Sequence, residues 1–254
     1  MNYFAHTTAA ERYAAARPYF HPLVTRRILG RAGRRFQDAL DVACGTGMGA
    51  RALLEIADNV TGVDVAPEML KFAQRDVPGA RFLESSAEKL PFEDASFDLI
   101  TVFLAYHWFD QPRFLREARR LLVPGAWLVI CNHWFLAELR GKPEFQAFKA
   151  SFYPSYPVPP RKPSSLEAGD AGLAGFEFVG YEEFEHDVRM DADQLAIYIS
   201  TQSNIIARVE QGEESLENVL ETIRSGVAPM LEGGRGAFQF KGAVWFACVP
   251  HDLD

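Results

Sequence analysis

Between residues 38 and 132 short apolar runs alternate with amphipathic helical patterns, and this alternation narrows the fold more than any other feature of the chain. ALDVAC, NVTGVDV, ARFLES, FDLITVFLA and AWLVICN read as five strands. FDLITVFLA is almost continuously apolar, as a strand covered on both faces must be. GMGARALLEIA, PEMLKFAQRD and PRFLREARRLL read as helices. Pro67 opens the second at a first-turn position, Asp110 is placed to cap the third, and Pro124-Gly125 turns the chain into the fifth strand. Strand–helix alternation of this kind predicts an α/β fold, a doubly wound and mostly parallel sheet with helices on both faces.

After Asn132 the rhythm changes. FYPSYPVPPRKPSS is proline-rich and predicts a surface loop. FEFVGYEEFEHDVRM and AFQFKGAVWFACVP read as late strands, an antiparallel edge on the parallel sheet. DADQLAIYISTQSNIIARVE and SLENVLETIRSG between them read as helices, the latter with Ser215 at its N-cap and Gly226 near its end. The expected organisation is an N-terminal helical cap over residues 1–36 and a core over 37–254. A small lid is formed mainly by 150–172 and 190–235.

In an open parallel sheet ligands bind at the carboxyl ends of the strands. The first predicted strand ends in DVACGTGMGA, where Gly45 and Gly47 permit a sharp turn and a close backbone approach. Asp64, closing the second strand, is placed to accept hydrogen bonds from ribose hydroxyls. Glycine spacing alone also fits a nicotinamide site. Asp41 separates the two cases. A carboxylate about 4 Å from a phosphate charge is repelled by about 4 kcal/mol at an effective dielectric of about 20. S-adenosylmethionine carries an ammonium and a sulfonium and no phosphate, so it favours such a carboxylate.

A net charge of −8 makes polymeric nucleic acid and anionic membrane surfaces poor expected partners. No apolar run approaches the ~20 residues of a membrane span, and the N-terminal stretch lacks a signal layout. Cys44, Cys131 and Cys248 are scattered without pairing or metal spacing, as reduced thiols in a cytoplasmic protein would be, and no metal is expected.

Together Asp41-x-x-x-Gly45-x-Gly47-x-Gly49, Asp64, Ser86-Ala87-Glu88 with Leu90-Pro91-Phe92, Phe97-Asp98 and Pro124-Gly125 resemble the class I S-adenosylmethionine-dependent methyltransferases, over residues 38–132. YHWFDQPRFLREARRLLVPGA and an N-terminal Tyr13 with Arg17-Pro18 resemble the methyltransferase type 11, trans-aconitate methyltransferase-like small-molecule subgroup. Two positions depart from the pattern: the adenine-loop acid is Ser86, and the usual Pro-Gly-Gly is Pro124-Gly125-Ala126.

The resemblance implies a Rossmann-like seven-stranded sheet. It places Gly45, Thr46 and Gly47 along the methionine part of the cofactor, Asp41 near its amino group, Asp64 at the ribose and Met69, Ser86 and Ala87 at the adenine, with Cys44, Val65 and Phe103 also expected to touch the cofactor. Tyr13 and Arg17 would reach the methionine carboxylate. Tyr106, His107, Trp108, Trp134, Tyr198 and Gln202 would line the acceptor pocket, with Tyr106, His107 and His133 as candidates for a general base.

The expected activity is methyl transfer to a small molecule at a carboxylate or other oxygen, by a monomer or a dimer. Two alternatives remain: an NAD(P)-dependent reductase, and a non-catalytic cofactor-binding protein on the same fold. The segment after the fourth strand reads FLAYHW, with neither the Asn/Asp-Pro-Pro-Tyr pattern of amino-methylating DNA and protein enzymes nor a Pro-Cys nucleophile.

Overall fold

The computed structural model describes residues 7–158 and 160–251, with side chains from residue 10 onward. The expected N-terminal cap begins outside them, at 1–6. Two helices open the described chain, α1 (Thr7–Ala16) and α2 (His21–Ala32). The alternating segment follows: β1 (Phe36–Val42), α3 (Met48–Leu53), β2 (Ala57–Asp64), α4 (Pro67–Asp76), β3 (Arg81–Glu84), β4 (Phe97–Phe103), α5 (Gln111–Leu121) and β5 (Leu122–Leu139). The remainder is α6 (Phe145–Phe152), α7 (Ala168–Leu173), β6 (Glu177–Met190), α8 (Ala192–Ser200), α9 (Ser203–Glu210), α10 (Leu216–Val227) and β7 (Gly236–Cys248).

The seven strands form one sheet in the order β3-β2-β1-β4-β5-β7-β6. β1 pairs in parallel with both β2 and β4, β2 with β3, and β4 with β5. The late strands are antiparallel at the edge, as the sequence predicts. Reciprocal backbone bonds, Gly125 N–H to Val249 O and Val249 N–H to Ala126 O, carry that pairing into the end of the chain. The strand order reverses between β1 and β4, and there both β1 and β4 end in residues that face a ligand site in folds of this type.

The chain divides into two compact units. The larger comprises Tyr19–Asn132, Arg161–Glu183 and the chain from Ala243. Its core packs Leu40, Val42, Ile100, Val102, Phe114, Leu128 and Ile130 from the parallel strands and α5, all buried. The smaller comprises the chain through Pro18, His133–Pro160 and Phe184–Gly242. Its core is aromatic and aliphatic, around Phe145, Phe238, Phe240, Leu195, Ile199, Val219 and Ile223.

Local chemistry accounts for the element ends. Asp110 caps α5 by accepting from Arg113 N–H at 3.3 Å. Ser215 caps α10 by accepting from Asn218 N–H at 3.4 Å. Asp191 opens α8 with a reciprocal capping box to Gln194.

Three expectations need correction. β5 does not begin after Pro124-Gly125. The strand starts at Leu122 and bulges at that dipeptide, because the partner of Phe97 is Leu122 while that of Leu99 is Trp127. DADQLAIYISTQSNIIARVE is two helices: Thr201 and Gln202 break the run, and Gln202 becomes the N-cap of α9. Gly226 does lie near the end of α10, as the sequence predicts. It lies inside that helix, where a Cβ would fall 2.7 Å from the ring of Phe148, so it permits close packing rather than a left-handed stop. FYPSYPVPPRKPSS is not wholly loop, since Phe152 closes α6, a helix carried by the preceding residues.

Candidate functional site

The carboxyl ends of β1, β2 and β4 gather most of the residues singled out in the sequence, all within the larger unit. Gly45, at φ +53°, and Gly47, at φ +81°, make the turn after β1. A Cβ on Gly45 would meet nothing within 4 Å, so the turn presents bare backbone toward open space. A Cβ on Gly49 would lie 2.4 Å from Asp41 Oδ2 and 2.6 Å from the Phe103 ring. That position admits only glycine, because the helix start presses against the strand ends.

The two acids of the site differ in their partners. Asp64 accepts from Gly45 N–H at 2.8 Å through Oδ2 and from Ala66 N–H at 2.9 Å through Oδ1. The carboxylate therefore ties the ends of two neighbouring strands together and keeps a free lone pair on each oxygen. Burial raises its pKa, opposed by those amides. Asp41 is 1% exposed. Its Oδ1 accepts from Thr101 Oγ1 at 3.2 Å, and its Oδ2 has no partner among the described residues. Burial pushes its pKa up to about 7, with Thr101 and the nearby Ala50 backbone amide opposing and Asp64 adding to the rise.

Around these acids, Val65 is 52% exposed directly after Asp64. Met69 and Ala87 are buried, as are Cys44 and Phe103. Thr46 is 6% exposed and its Oγ1 is also unpartnered. Ser86 bridges Lys89 in a tight antiparallel turn.

Several motif residues turn out to brace this loop. Glu88 accepts from Asp110 N–H at 2.9 Å, and Glu117 from Leu90 N–H at 2.7 Å. Arg120 donates to Leu90 O and Phe92 O, while Asp98 accepts from the amides of Gln37 and Asp38.

Tyr106, His107 and Trp108 form one turn of 3-10 helix after β4, in the same unit. Burial first, and then the nearby Arg161, push the His107 pKa down to about 4, so its imidazole is neutral at neutral pH. Burial raises the Tyr106 hydroxyl above its ordinary range. Arg161 stands over the Trp108 ring at 5.8 Å. The strap that carries Arg161 is fixed by Lys162 to Phe109 O, Pro163 O to Gln111 and Ser164 to Asn132.

The other predicted residues belong to the smaller unit. Arg17 stacks on Tyr13 at 4.7 Å and on Tyr198 at 5.3 Å, and donates to Thr201 O at 2.8 Å. His133 shares a 2.8 Å Nε2···Nε2 hydrogen bond with His186 and stacks on Phe240. Trp134 is half-buried. Tyr198 is buried against Phe135 and Phe240, and Gln202 bonds the Tyr153 hydroxyl at 3.3 Å.

Sequence reasoning missed His21, Arg161 and His186. RPYFHP and PPRKP stood out only as aromatic or proline-rich segments. Nothing in the order of residues marks His21, the first residue of α2, as 5% exposed and unpartnered at Nδ1.

A parallel sheet with a glycine turn after β1, an acid closing β2 and a strand-order reversal beside them defines a domain of the doubly wound class. A family model described as a methyltransferase domain matches residues 40–130. An uncharacterized methyltransferase of Mycobacterium tuberculosis strain H37Rv is 36% identical over 118 residues, 46% of this chain and 47% of the relative. A demethylmenaquinone methyltransferase of Chlorobaculum tepidum is 41% identical over 95 residues, 37% of this chain and 39% of the relative. The chain thus spans less than half the length of these curated relatives. A candidate type II methyltransferase from Anaeromyxobacter dehalogenans shares the fold at a TM-score of 0.67 and 23% identity, covering 93% of this chain and 98% of that one. Residues 40–130 thus match a methyltransferase domain, and the fold is one shared with a solved methyltransferase structure. No helix among the described residues is long and apolar enough to cross a membrane.

Proposed function

We propose that the protein transfers the methyl group of S-adenosylmethionine to a small-molecule acceptor, at a carboxylate or another oxygen. The observation that carries the cofactor half is Asp41 Oδ2, a buried carboxylate oxygen without a partner beside the glycine turn. Leaving a buried charged acceptor unsatisfied costs about 1–3 kcal/mol or more, and a cationic ligand recovers that cost. A pyrophosphate would deepen it. The residues therefore fit S-adenosylmethionine better than a dinucleotide.

In this reading Asp64 uses its free lone pairs on the ribose hydroxyls. Gly45, Thr46 and Gly47 line the amino-acid portion. Val65, Met69, Ser86 and Ala87 border the adenine, and Phe103 walls the site near Gly49. When bound, the cofactor supplies a methyl group on a sulfonium, a donor that already contains its leaving group. The chain's task is then to align the acceptor and exclude water.

His107 bears on the acceptor. An imidazole held near pKa 4 is a poor base at neutral pH, so it cannot readily strip a proton from a phenol or an amine. A carboxylate acceptor arrives already ionised and needs no base. Arg161, over Trp108 and close enough to shift His107, supplies the matching positive charge.

Calorimetric titration with S-adenosylhomocysteine tests the cofactor half; binding in the micromolar range is expected. NADPH binding without any S-adenosylhomocysteine binding would replace this reading with the reductase. Labelled S-adenosylmethionine offered with a panel of acids, phenols and amines tests the acceptor half. Label in the acids is expected, and label confined to amines would overturn the oxygen assignment.

A further inference from the structure

Residues 161–164 form an irregular strap within the larger unit, and little apolar burial holds it. Arg161, Lys162 and Pro163 are exposed, and the next fully buried side chain is Leu166. Three side-chain hydrogen bonds fix the strap instead. Lys162 Nζ donates to Phe109 O at 2.8 Å, Gln111 Nε2 to Pro163 O at 2.7 Å, and Asn132 Nδ2 to Ser164 Oγ at 3.0 Å. Pro163 adds stiffness, since its ring fixes its own φ and restricts Lys162 before it.

Two of the anchors lie between the turn after β4 and the first residue of α5. Gln111 Nε2 carries two N–H groups and reaches two carbonyls, Pro163 O and, at 3.3 Å, Tyr106 O. One amide therefore joins the strap to the turn that carries His107 and Trp108. Asp110, between Phe109 and Gln111, is itself fixed: its N–H bonds Glu88 and its carboxylate caps α5. On this base Arg161 stands 5.8 Å from the centre of the Trp108 ring, which is 39% exposed, and its charge is felt at His107.

We infer that Gln111 and Lys162 are positioning residues for the acceptor, holding the strap so that Arg161 meets an acceptor carboxylate beside Trp108. This rests on the acid-acceptor reading above and adds to it the two residues through which Arg161 is held. A guanidinium on a long side chain and a strap without a core of its own would each lose freedom when an acid binds. Hydrogen bonds that fix the strap beforehand remove part of that cost. Neither Gln111 nor Lys162 needs to touch the acceptor, so the effect of each passes through Arg161. It falls on acceptor binding and leaves the transfer step and the cofactor untouched.

The probe is the acid that the native protein labels fastest in the panel above. Gln111→Leu removes both donors without changing charge. It should raise the KM for that acid about tenfold, with kcat and S-adenosylhomocysteine affinity within about twofold of native. Lys162→Met should act in the same sense and Lys162→Arg should recover most of the loss. That pair tests the inference even if Gln111→Leu fails to fold. Arg161→Gln should raise the KM at least as far, and with it present Gln111→Leu should add less than about twofold. An unchanged KM, an equal rise with and without Arg161, or a parallel loss of S-adenosylhomocysteine binding would overturn the inference. If the native protein labels no acid, the acid-acceptor reading falls and takes this inference with it, a result seen before any substitution is made.

Discussion

The two compact units bury their polar groups by different rules. In the larger unit the buried acids sit at strand ends within one alternating segment. One of them, Asp64, accepts a backbone amide on each oxygen, while Asp41 has one oxygen without a hydrogen-bond partner among the described residues. In the smaller unit most buried polar groups pair with one another or lie against rings: His133 with His186, Gln202 with Tyr153, and Arg17 between Tyr13 and Tyr198, although the Nε atoms of Arg12, Arg17 and Arg208 are buried without a hydrogen-bond partner among the described residues. The first pattern leaves capacity for a ligand, and the second spends most of its capacity on its own packing. Unsatisfied polar atoms and local stability are therefore expected to respond oppositely to substitution in the two units.

Phe240→Ala strikes the contrast hardest. Phe240 is fully buried and meets His133, Phe135 and Tyr198. Its loss should cost about 3–5 kcal/mol in denaturant unfolding. A cost under about 1 kcal/mol would mean that the aromatic cluster is not the core of its unit.

Asp41→Asn should do the reverse and stabilise the protein. The carboxyl titrates near pH 3.8 when unfolded and about 7 when folded. Its stabilising protonated form is fully present below the lower value, and that stability is lost as pH rises toward 7. The variant should therefore gain on the native protein through that window and hold a plateau above it, on the order of 4 kcal/mol. It should also bind S-adenosylhomocysteine more weakly. A pH-independent difference in stability would remove Asp41 from the account.

Asp64→Ala should weaken S-adenosylhomocysteine by about 1–3 kcal/mol, through lost hydrogen bonds to a charged group. Unchanged affinity in calorimetry would count against its ribose role. The smallest effect belongs to Lys71→Ala. Its exposed pair with Glu68, at 2.8 Å and three residues apart on α4, should contribute under about 0.5 kcal/mol to thermal unfolding. A larger loss would show that surface charge matters more to this sheet than its strand-end chemistry.

Much of the larger unit was legible in the order of residues. Pro67 and Asp76 bound α4 as read, and Asp110 and Ser215 cap their helices. These features depend on contacts a few residues apart, where spacing decides geometry. The extent of β5 was not legible. Its 18 residues run well past Asn132 because β7, more than a hundred residues later, lies beside it in the sheet. The break at Thr201 and Gln202 falls in residues 200–204, a run of five polar residues that interrupts the apolar periodicity, a signal that reading the segment as one helix passes over.

The sequence by itself determined the class of fold, the glycine turn after β1 and the acids at the ends of β1 and β2. Alternating periodicity and conformational freedom at Gly45 and Gly47 act locally and need no knowledge of distant partners. Tertiary structure alone decided which buried polar atoms are satisfied. Asp41, Thr46 and His21 become unpartnered only when β1, the turn after it, β4 and α2 converge and exclude water. Satisfaction of a hydrogen bond is a property of three-dimensional neighbours, and spacing along a chain does not encode it.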